Sequence, residues 1–127
     1  MKKTIIIAHL SLPVLFGFAV FVYAMIKRGF SAESVIPLLF GGTLFYLAPH
    51  LLWSLITLIA KFSEVVTHAG FIGSTVALVL IASMWFLPPD PSGLPMQWML
   101  YWPLAVALQI GFASAVGIYR RNNALNQ

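Results

Sequence analysis

The chain has 127 residues, of which 61% are hydrophobic and 8% are charged, with a net charge of +4 and no cysteine. Such a composition lies outside the range of water-soluble domains, so a soluble globular protein is excluded. The lack of cysteine excludes disulfide exchange, thiolate metal sites and cysteine nucleophiles.

The charged residues stand in clusters that are separated by long uncharged runs. Each run is longer than the ~20 residues that a helix needs to cross ~30 Å of hydrocarbon. The pattern therefore predicts an all-α integral membrane protein that forms a single membrane domain over residues 1–127. Four transmembrane helices are predicted, at about 4–26, 34–60, 64–87 and 93–119.

The connections and the basic residues predict how these helices are arranged. Short connections favour an up-down-up-down bundle. Five basic residues fall on one side of it (Lys2, Lys3, Lys61, Arg120, Arg121) and two on the other (Lys27, Arg28). By the positive-inside rule, the N- and C-termini are both cytoplasmic, and a bacterial inner membrane is the expected location. Basic pairs at helix ends do not form a nucleic-acid-binding patch.

The first two predicted helices carry clear boundary residues and a proline. The first ends at Lys27-Arg28-Gly29, where glycine can leave the helix. The second is predicted to begin with Ser34 as N-cap, which puts Pro37 in its first turn. Pro49 lies in its middle and is predicted to kink it, leaving the carbonyl of Phe45 free for another donor.

The last two helices are predicted to form a hairpin. Ser63 is the expected N-cap of the third helix, with Glu64 in its first turn. Asp90-Pro91-Ser92-Gly93 predicts a tight turn into the fourth helix. Aromatic residues near this turn are typical of a membrane interface and predict an aromatic belt there: Trp85, Trp98, Tyr101 and Trp102.

Small residues predict which helix faces touch. Residues spaced by four allow close backbone approach when they are glycine, alanine or serine. The third helix offers Gly70 with Ser74, or Gly73 with Ala77, and the fourth offers Ala107, Gly111 and Ala115. We therefore expect the third and fourth helices to pack closely through these positions.

Polar residues inside the predicted spans are the best indicators of function, because each is costly in lipid unless it has a partner. At ~1.5 Å per residue, one residue or pair from each helix reaches a similar depth. These are Ser11, His50, Ser74 with Thr75, and Gln109. They predict a polar layer, which is either a site with His50 as proton acceptor or ligand, or a clasp that fixes helix pairing. The absence of a charged group in the layer favours the clasp.

A second group lies near the predicted cytoplasmic surface. Glu64 and His68 share one face of the third helix, and His9 reaches a similar depth on the first. These side chains suit metal binding or proton transfer, but a first-turn glutamate and an interfacial histidine need no such role. We therefore predict no metal, no cofactor and no catalytic residue.

No phosphate-binding loop, nucleophile motif or carboxylate pair is present. The leading hypothesis is a small non-enzymatic inner-membrane protein that acts through helix–helix contacts, as an accessory subunit, a modulator or an immunity-type protein. Its expected partners are the lipid bilayer and either a membrane protein or further copies of itself. The alternative is an oligomeric transporter or channel for small solutes or ions, with a path along His50 and Gln109. A third possibility is an enzyme that acts on lipid head groups through Glu64 and His68. It is disfavoured because the charge pattern does not predict the basic pocket that such head groups need.

Overall fold

A computed structural model of the chain describes residues 2–29, 31–83 and 96–127. It contains four helices, α1 (Lys2–Arg28), α2 (Ala32–Ile59), α3 (Glu64–Ser83) and α4 (Met96–Leu125). The described residues form no strand, and each helix is long and apolar enough to cross a membrane. The all-helical prediction is therefore confirmed. The predicted turn at Asp90 to Gly93, the predicted end of the third helix and the predicted start of the fourth lie outside the described residues.

The start of α2 differs from the prediction. Its N-cap is Ser31, not Ser34, and the helix begins at Ala32. The Ser31 backbone is extended, with φ −68° and ψ 154°, and its carbonyl accepts the Ser34 N–H at 3.1 Å. The earlier start places Glu33 in the first turn, where the helix dipole stabilises negative charge.

The other helix ends match the sequence signals or extend beyond them. Gly29 follows α1 with φ +63°, a conformation that costs glycine little. The Ser63 hydroxyl caps α3 by accepting the Val66 N–H at 3.4 Å. Beyond Tyr119, α4 continues to Leu125, because no glycine or proline follows to stop it.

The α1 and α2 helices pair in antiparallel fashion. At one end, the Lys2 ammonium donates to the Thr57 carbonyl at 2.9 Å. Further along, Gly17 of α1 packs directly against Thr43 of α2. The start of α1 therefore contacts the end of α2, and a later part of α1 contacts an earlier part of α2.

The α3 and α4 helices also pair in antiparallel fashion. The Arg120 guanidinium donates to the Ser63 hydroxyl at 3.2 Å, beside the start of α3. Gly73, near the middle of α3, lies against the backbone of Leu108. Because this close contact is with backbone atoms, it fixes the two helices at short distance.

The interior contains two apolar clusters, and α3 contributes to both. Half of the α3 span is buried, against 18% of the α1 span, so α3 is the most enclosed of the four helices. Polar side chains of α3 and α4 lie between the clusters. One cluster contains Tyr46, Ala77, Leu78, Ile81, Tyr101 and Ala105, and the other Ile6, Trp53, Phe71 and Ala113.

Candidate functional site

Gln109 is the centre of the buried polar layer. It is 2% exposed, and its amide nitrogen donates to the Pro49 carbonyl at 2.8 Å and also to the Ser74 hydroxyl. The Ser74 hydroxyl in turn donates to the Gly70 carbonyl at 3.3 Å. One α4 side chain thus bonds to both α2 and α3. We call Pro49, Ser74 and Gln109 the clasp.

The carbonyl that Pro49 leaves without its helical partner is taken by α4, as the sequence predicts. Proline has no N–H, so the Phe45 carbonyl lacks its usual donor four residues on. The Trp102 indole nitrogen donates to it at 3.1 Å. Beside it, the Tyr101 hydroxyl donates to the Tyr46 carbonyl at 2.8 Å. Three side chains of α4 therefore bond to the backbone of α2 around Pro49.

The placement of Tyr101 in an aromatic belt is wrong, because this residue is fully buried. Its hydroxyl has a backbone acceptor inside the protein, and its ring packs on Tyr46 with centroids 5.0 Å apart. A buried tyrosine with an internal partner gains nothing from moving to an interface. Trp102 remains 48% exposed. Trp85 and the Trp98 side chain lie outside the described part.

His50 is fully buried beside the clasp rather than within it. Among the described residues, neither ring nitrogen has a hydrogen-bond partner. The Tyr46 carbonyl lies close to the His50 imidazole and also accepts a hydrogen bond from the Tyr101 hydroxyl at 2.8 Å. A buried polar group without a partner is costly in free energy. The burial of His50 is therefore the feature of the layer that hydrogen bonding does not explain.

Two residues predicted for the layer do not join it. Ser11 is exposed, and its hydroxyl donates to the Ala8 carbonyl of its own helix at 2.6 Å. This local bond removes the need for a partner on another helix. Thr75 is half-buried, and its hydroxyl has no partner among the described residues. The polar layer consequently involves α2, α3 and α4, and the predicted contribution of α1 is wrong.

The predicted approach of His9 to His68 is present in the structure. His9 Nε2 lies 3.1 Å from His68 Nδ1, which joins α1 to α3. The His9 ring stacks on Phe71 with centroids 4.7 Å apart and planes 2° from parallel. His9 is half-buried and His68 is exposed. Glu64 is exposed, and no three metal-ligating side chains converge in the described ranges.

The two glycines of α3 that were predicted to pack against α4 face different helices. Gly73 lies against the backbone of Leu108, as predicted for the contact with α4. Gly70 faces the Trp53 indole of α2 instead. The Trp53 indole nitrogen donates to the Thr67 carbonyl at 2.9 Å, which holds the ring over Gly70. Gly70 is thus a contact between α2 and α3.

The predicted packing face of α4 is wrong. Ala107, Gly111 and Ala115 are exposed, and no described atom lies within 4 Å of a Cβ built on Gly111. The buried face of α4 instead contains Ala105, Gln109 and Ala113. A helix advances about 100° per residue, so positions two apart lie almost opposite one another. The need to bury Gln109, a signal already present in the sequence, selects the face that turns inward.

Sequence reasoning also missed an apolar groove beside the clasp. The groove has a volume of about 260 Å³ and opens to the side between α2 and α4. Ala48, Pro49, Leu52, Trp102 and Val106 line it. A small alanine next to a proline was the available signal. Its lining suits an aliphatic group better than an ion or a polar solute.

Comparison of the chain with protein-family models, with curated proteins and with solved structures finds no match. The geometry of the described residues therefore carries the functional assignment. The clasp uses the Gln109 amide in bonds to Pro49 and Ser74, which suits holding helices together. The exposed row on α4 and the unpartnered ring nitrogens of His50 remain without a role in the bundle.

Proposed function

We propose that the chain is a multi-pass protein of a cell inner membrane, an up-down-up-down bundle with both termini cytoplasmic. Four sufficiently long apolar helices support insertion. Basic groups from both ends of the chain gather at the turn between α2 and α3. The Lys2 ammonium donates to the Phe62 carbonyl at 2.8 Å, and Arg120 reaches Ser63 in the same turn. A basic end of this kind favours the cytoplasmic side.

We propose that its function is non-enzymatic and depends on contact with the helices of a partner, as an accessory subunit, modulator or immunity-type protein. The observation that carries this proposal is the exposed row of small residues on α4, Ala107, Gly111 and Ala115. Small residues spaced by four let two membrane helices approach closely. The bundle already packs through the opposite face of α4, so this row is available to another chain.

The hydrogen bonding of the clasp also supports a role in helix contact rather than in catalysis or transport. Gln109 bonds to a carbonyl of α2 and a hydroxyl of α3, and the Ser74 hydroxyl donates onward to Gly70. Groups engaged in this way stabilise one register of the helices. The groove beside Pro49 is apolar and offers no ion path.

The test compares two glycine variants that add the same side chain. Gly111→Ile fills the exposed row, whereas Gly41→Ile is the matched control on α2, where a Cβ also meets no described atom. Both variants and the wild type would be crosslinked in native membranes and captured. We expect Gly111→Ile to reduce partner capture at least ~10-fold, because a bulky residue separates the backbones, and Gly41→Ile to leave it unchanged.

The identity of the captured species separates the possible roles. A different membrane protein supports an accessory or modulatory role, and a second copy alone supports an oligomer. If Gly111→Ile captures as much partner as the wild type, the α4 row is not the contact surface and the proposal fails.

One observation favours a second candidate, an oligomeric transporter or channel for ions or small solutes. His50 is fully buried, and neither ring nitrogen has a partner among the described residues. An unsatisfied imidazole at this depth suits transient binding of a proton or solute. Proton flux into liposomes holding the wild type and His50→Ala decides the matter. Transport is supported if the wild type conducts protons and a folded His50→Ala variant does not. Equal flux in the two proteins, or no flux in either, excludes it.

A further inference from the structure

The contact between His9 and His68 joins α1 to α3, which are also joined by the stacking of His9 on Phe71. Among the three histidines of the chain, His9 and His68 have ring nitrogens within hydrogen-bonding distance of each other, at 3.1 Å. Two neutral imidazoles can share one hydrogen at this separation, with one nitrogen donating and the other accepting. Both nitrogens therefore face the same small volume. When the proton of the donor moves to the second nitrogen of its own ring, both present lone pairs there.

The same volume fits a metal ion. Nitrogen ligands lie ~2.0–2.1 Å from Zn²⁺, so two of them at a tetrahedral angle are about 3.3 Å apart. The observed separation of 3.1 Å differs from this by a few tenths of an ångström. Rotation of the two side chains would have to cover that difference and turn both nitrogens toward the ion.

The surroundings hold one ligand firmly and leave the other accessible. The Phe71 ring lies parallel to the His9 ring with centroids 4.7 Å apart, which fixes the plane of that imidazole. His68 is exposed, so an ion can reach it from outside the bundle. Fixing a histidine ring is normally done by a hydrogen bond to its second nitrogen. Here the aromatic stack does so, since His9 Nδ1 has no partner among the described residues.

We propose that His9 and His68 together bind one divalent transition-metal ion and thereby bridge α1 to α3. Two imidazoles select metals that prefer nitrogen, such as Zn²⁺, Ni²⁺ and Cu²⁺, over Mg²⁺ and Ca²⁺, which prefer oxygen. No third histidine or carboxylate converges with the pair in the described ranges, so water would have to complete the coordination. The site lies on α1 and α3 and the proposed contact row on α4, so either proposal can fail without the other.

The test uses the full chain without a histidine tag, purified in detergent and freed of metal by a chelator. Zn²⁺, Ni²⁺ and Mg²⁺ are titrated separately by calorimetry, for the wild type and for His68→Gln. His68 is exposed, so its replacement leaves the packed interior unchanged. We expect saturable binding of one Zn²⁺ or Ni²⁺ per wild-type chain and none of Mg²⁺. Affinity should be at least ~10-fold weaker in His68→Gln.

A second measurement locates the ion within the wild type. Paramagnetic Cu²⁺ broadens the imidazole proton resonances of its ligands, so those of His9 and His68 should disappear first. The His50 resonances should broaden later, because His50 is not part of the pair. A thermal unfolding midpoint that Zn²⁺ raises in the wild type but not in His68→Gln also supports the site. Absence of saturable binding, or equal affinity in His68→Gln, overturns the proposal.

Discussion

At the scale of single residues, the bundle depends on α4 side chains that bond to the backbone of α2. Tyr101, Trp102 and Gln109 donate to the carbonyls of Tyr46, Phe45 and Pro49 at 2.8, 3.1 and 2.8 Å. Gln109 is the only one of the three that also bonds to α3. It is therefore the residue whose loss should affect the largest number of helices.

Replacing Gln109 by leucine should lower stability. The change removes the donor to the Pro49 carbonyl and the partner of Ser74. Thermal unfolding in detergent should show a loss of roughly 1 kcal/mol, the size of one or two interhelical hydrogen bonds. Asn123→Leu is the matched control, because it removes an exposed amide on the same helix. Equal stability of Gln109→Leu and wild type would contradict a structural role for the clasp.

The depth of the clasp was predicted from the sequence better than the set of residues that form it. Depth follows from a fixed rise per residue, so Ser74 and Gln109 were placed together correctly. Whether a hydroxyl bonds within its own helix is not visible from depth, and Ser11 does so. Burial of Tyr101 was also missed, because the sequence does not reveal that the Tyr46 carbonyl lies within reach.

At the scale of helices, the α2 proline has a defined counterpart on α4. Trp102 donates to the Phe45 carbonyl because Pro49 cannot. In Pro49→Ala, the new N–H at position 49 can bond to this carbonyl within the helix. Trp102 should then contribute less to stability.

A double-mutant cycle with Pro49→Ala and Trp102→Phe measures this dependence. Trp102→Phe should destabilise the wild type more than it destabilises Pro49→Ala, with a coupling of about 0.5–1 kcal/mol. Unfolding midpoints of the four proteins give the value. Identical effects of Trp102→Phe in the two backgrounds would show that the indole bond is unrelated to the proline.

Two glycine-to-alanine changes test which face of α4 packs. A Cβ at Gly73 meets the backbone of Leu108 and Gln109, which cannot move aside as a side chain does, so Gly73→Ala should cost roughly 1–3 kcal/mol. Gly111→Ala meets open space and should be neutral or stabilising by up to ~1 kcal/mol, from helix propensity. Thermal unfolding compares them. A larger loss for Gly111→Ala would restore the original prediction for α4.

The rotation of α4 could not be predicted from spacing alone. Ala105 with Ala113, and Ala107 with Ala115, are both pairs of small residues on regular spacing. Only the requirement to enclose Gln109 distinguishes the two faces. Spacing identifies faces that can approach closely, and polar satisfaction decides which of them does.

At the scale of the whole molecule, the proposed orientation in the membrane has a direct test. The chain contains no cysteine, so single cysteines can report which side a residue occupies. Lys27→Cys, near the end of α1, should react with an impermeant maleimide in intact spheroplasts. Asn123→Cys, near the end of α4, should react only after permeabilisation. The reverse labelling pattern would contradict cytoplasmic termini.

The bonds around Pro49 also bear on how the protein is made. The side-chain donors described there, from Tyr101, Trp102 and Gln109, all belong to α4, which is synthesised after α2. When α2 enters a membrane during translation, the Trp102 indole of α4 is not yet there to donate to the Phe45 carbonyl. The first three helices therefore form an incomplete assembly. We therefore expect these side-chain hydrogen bonds to α2 to form only after α4 has been synthesised and inserted.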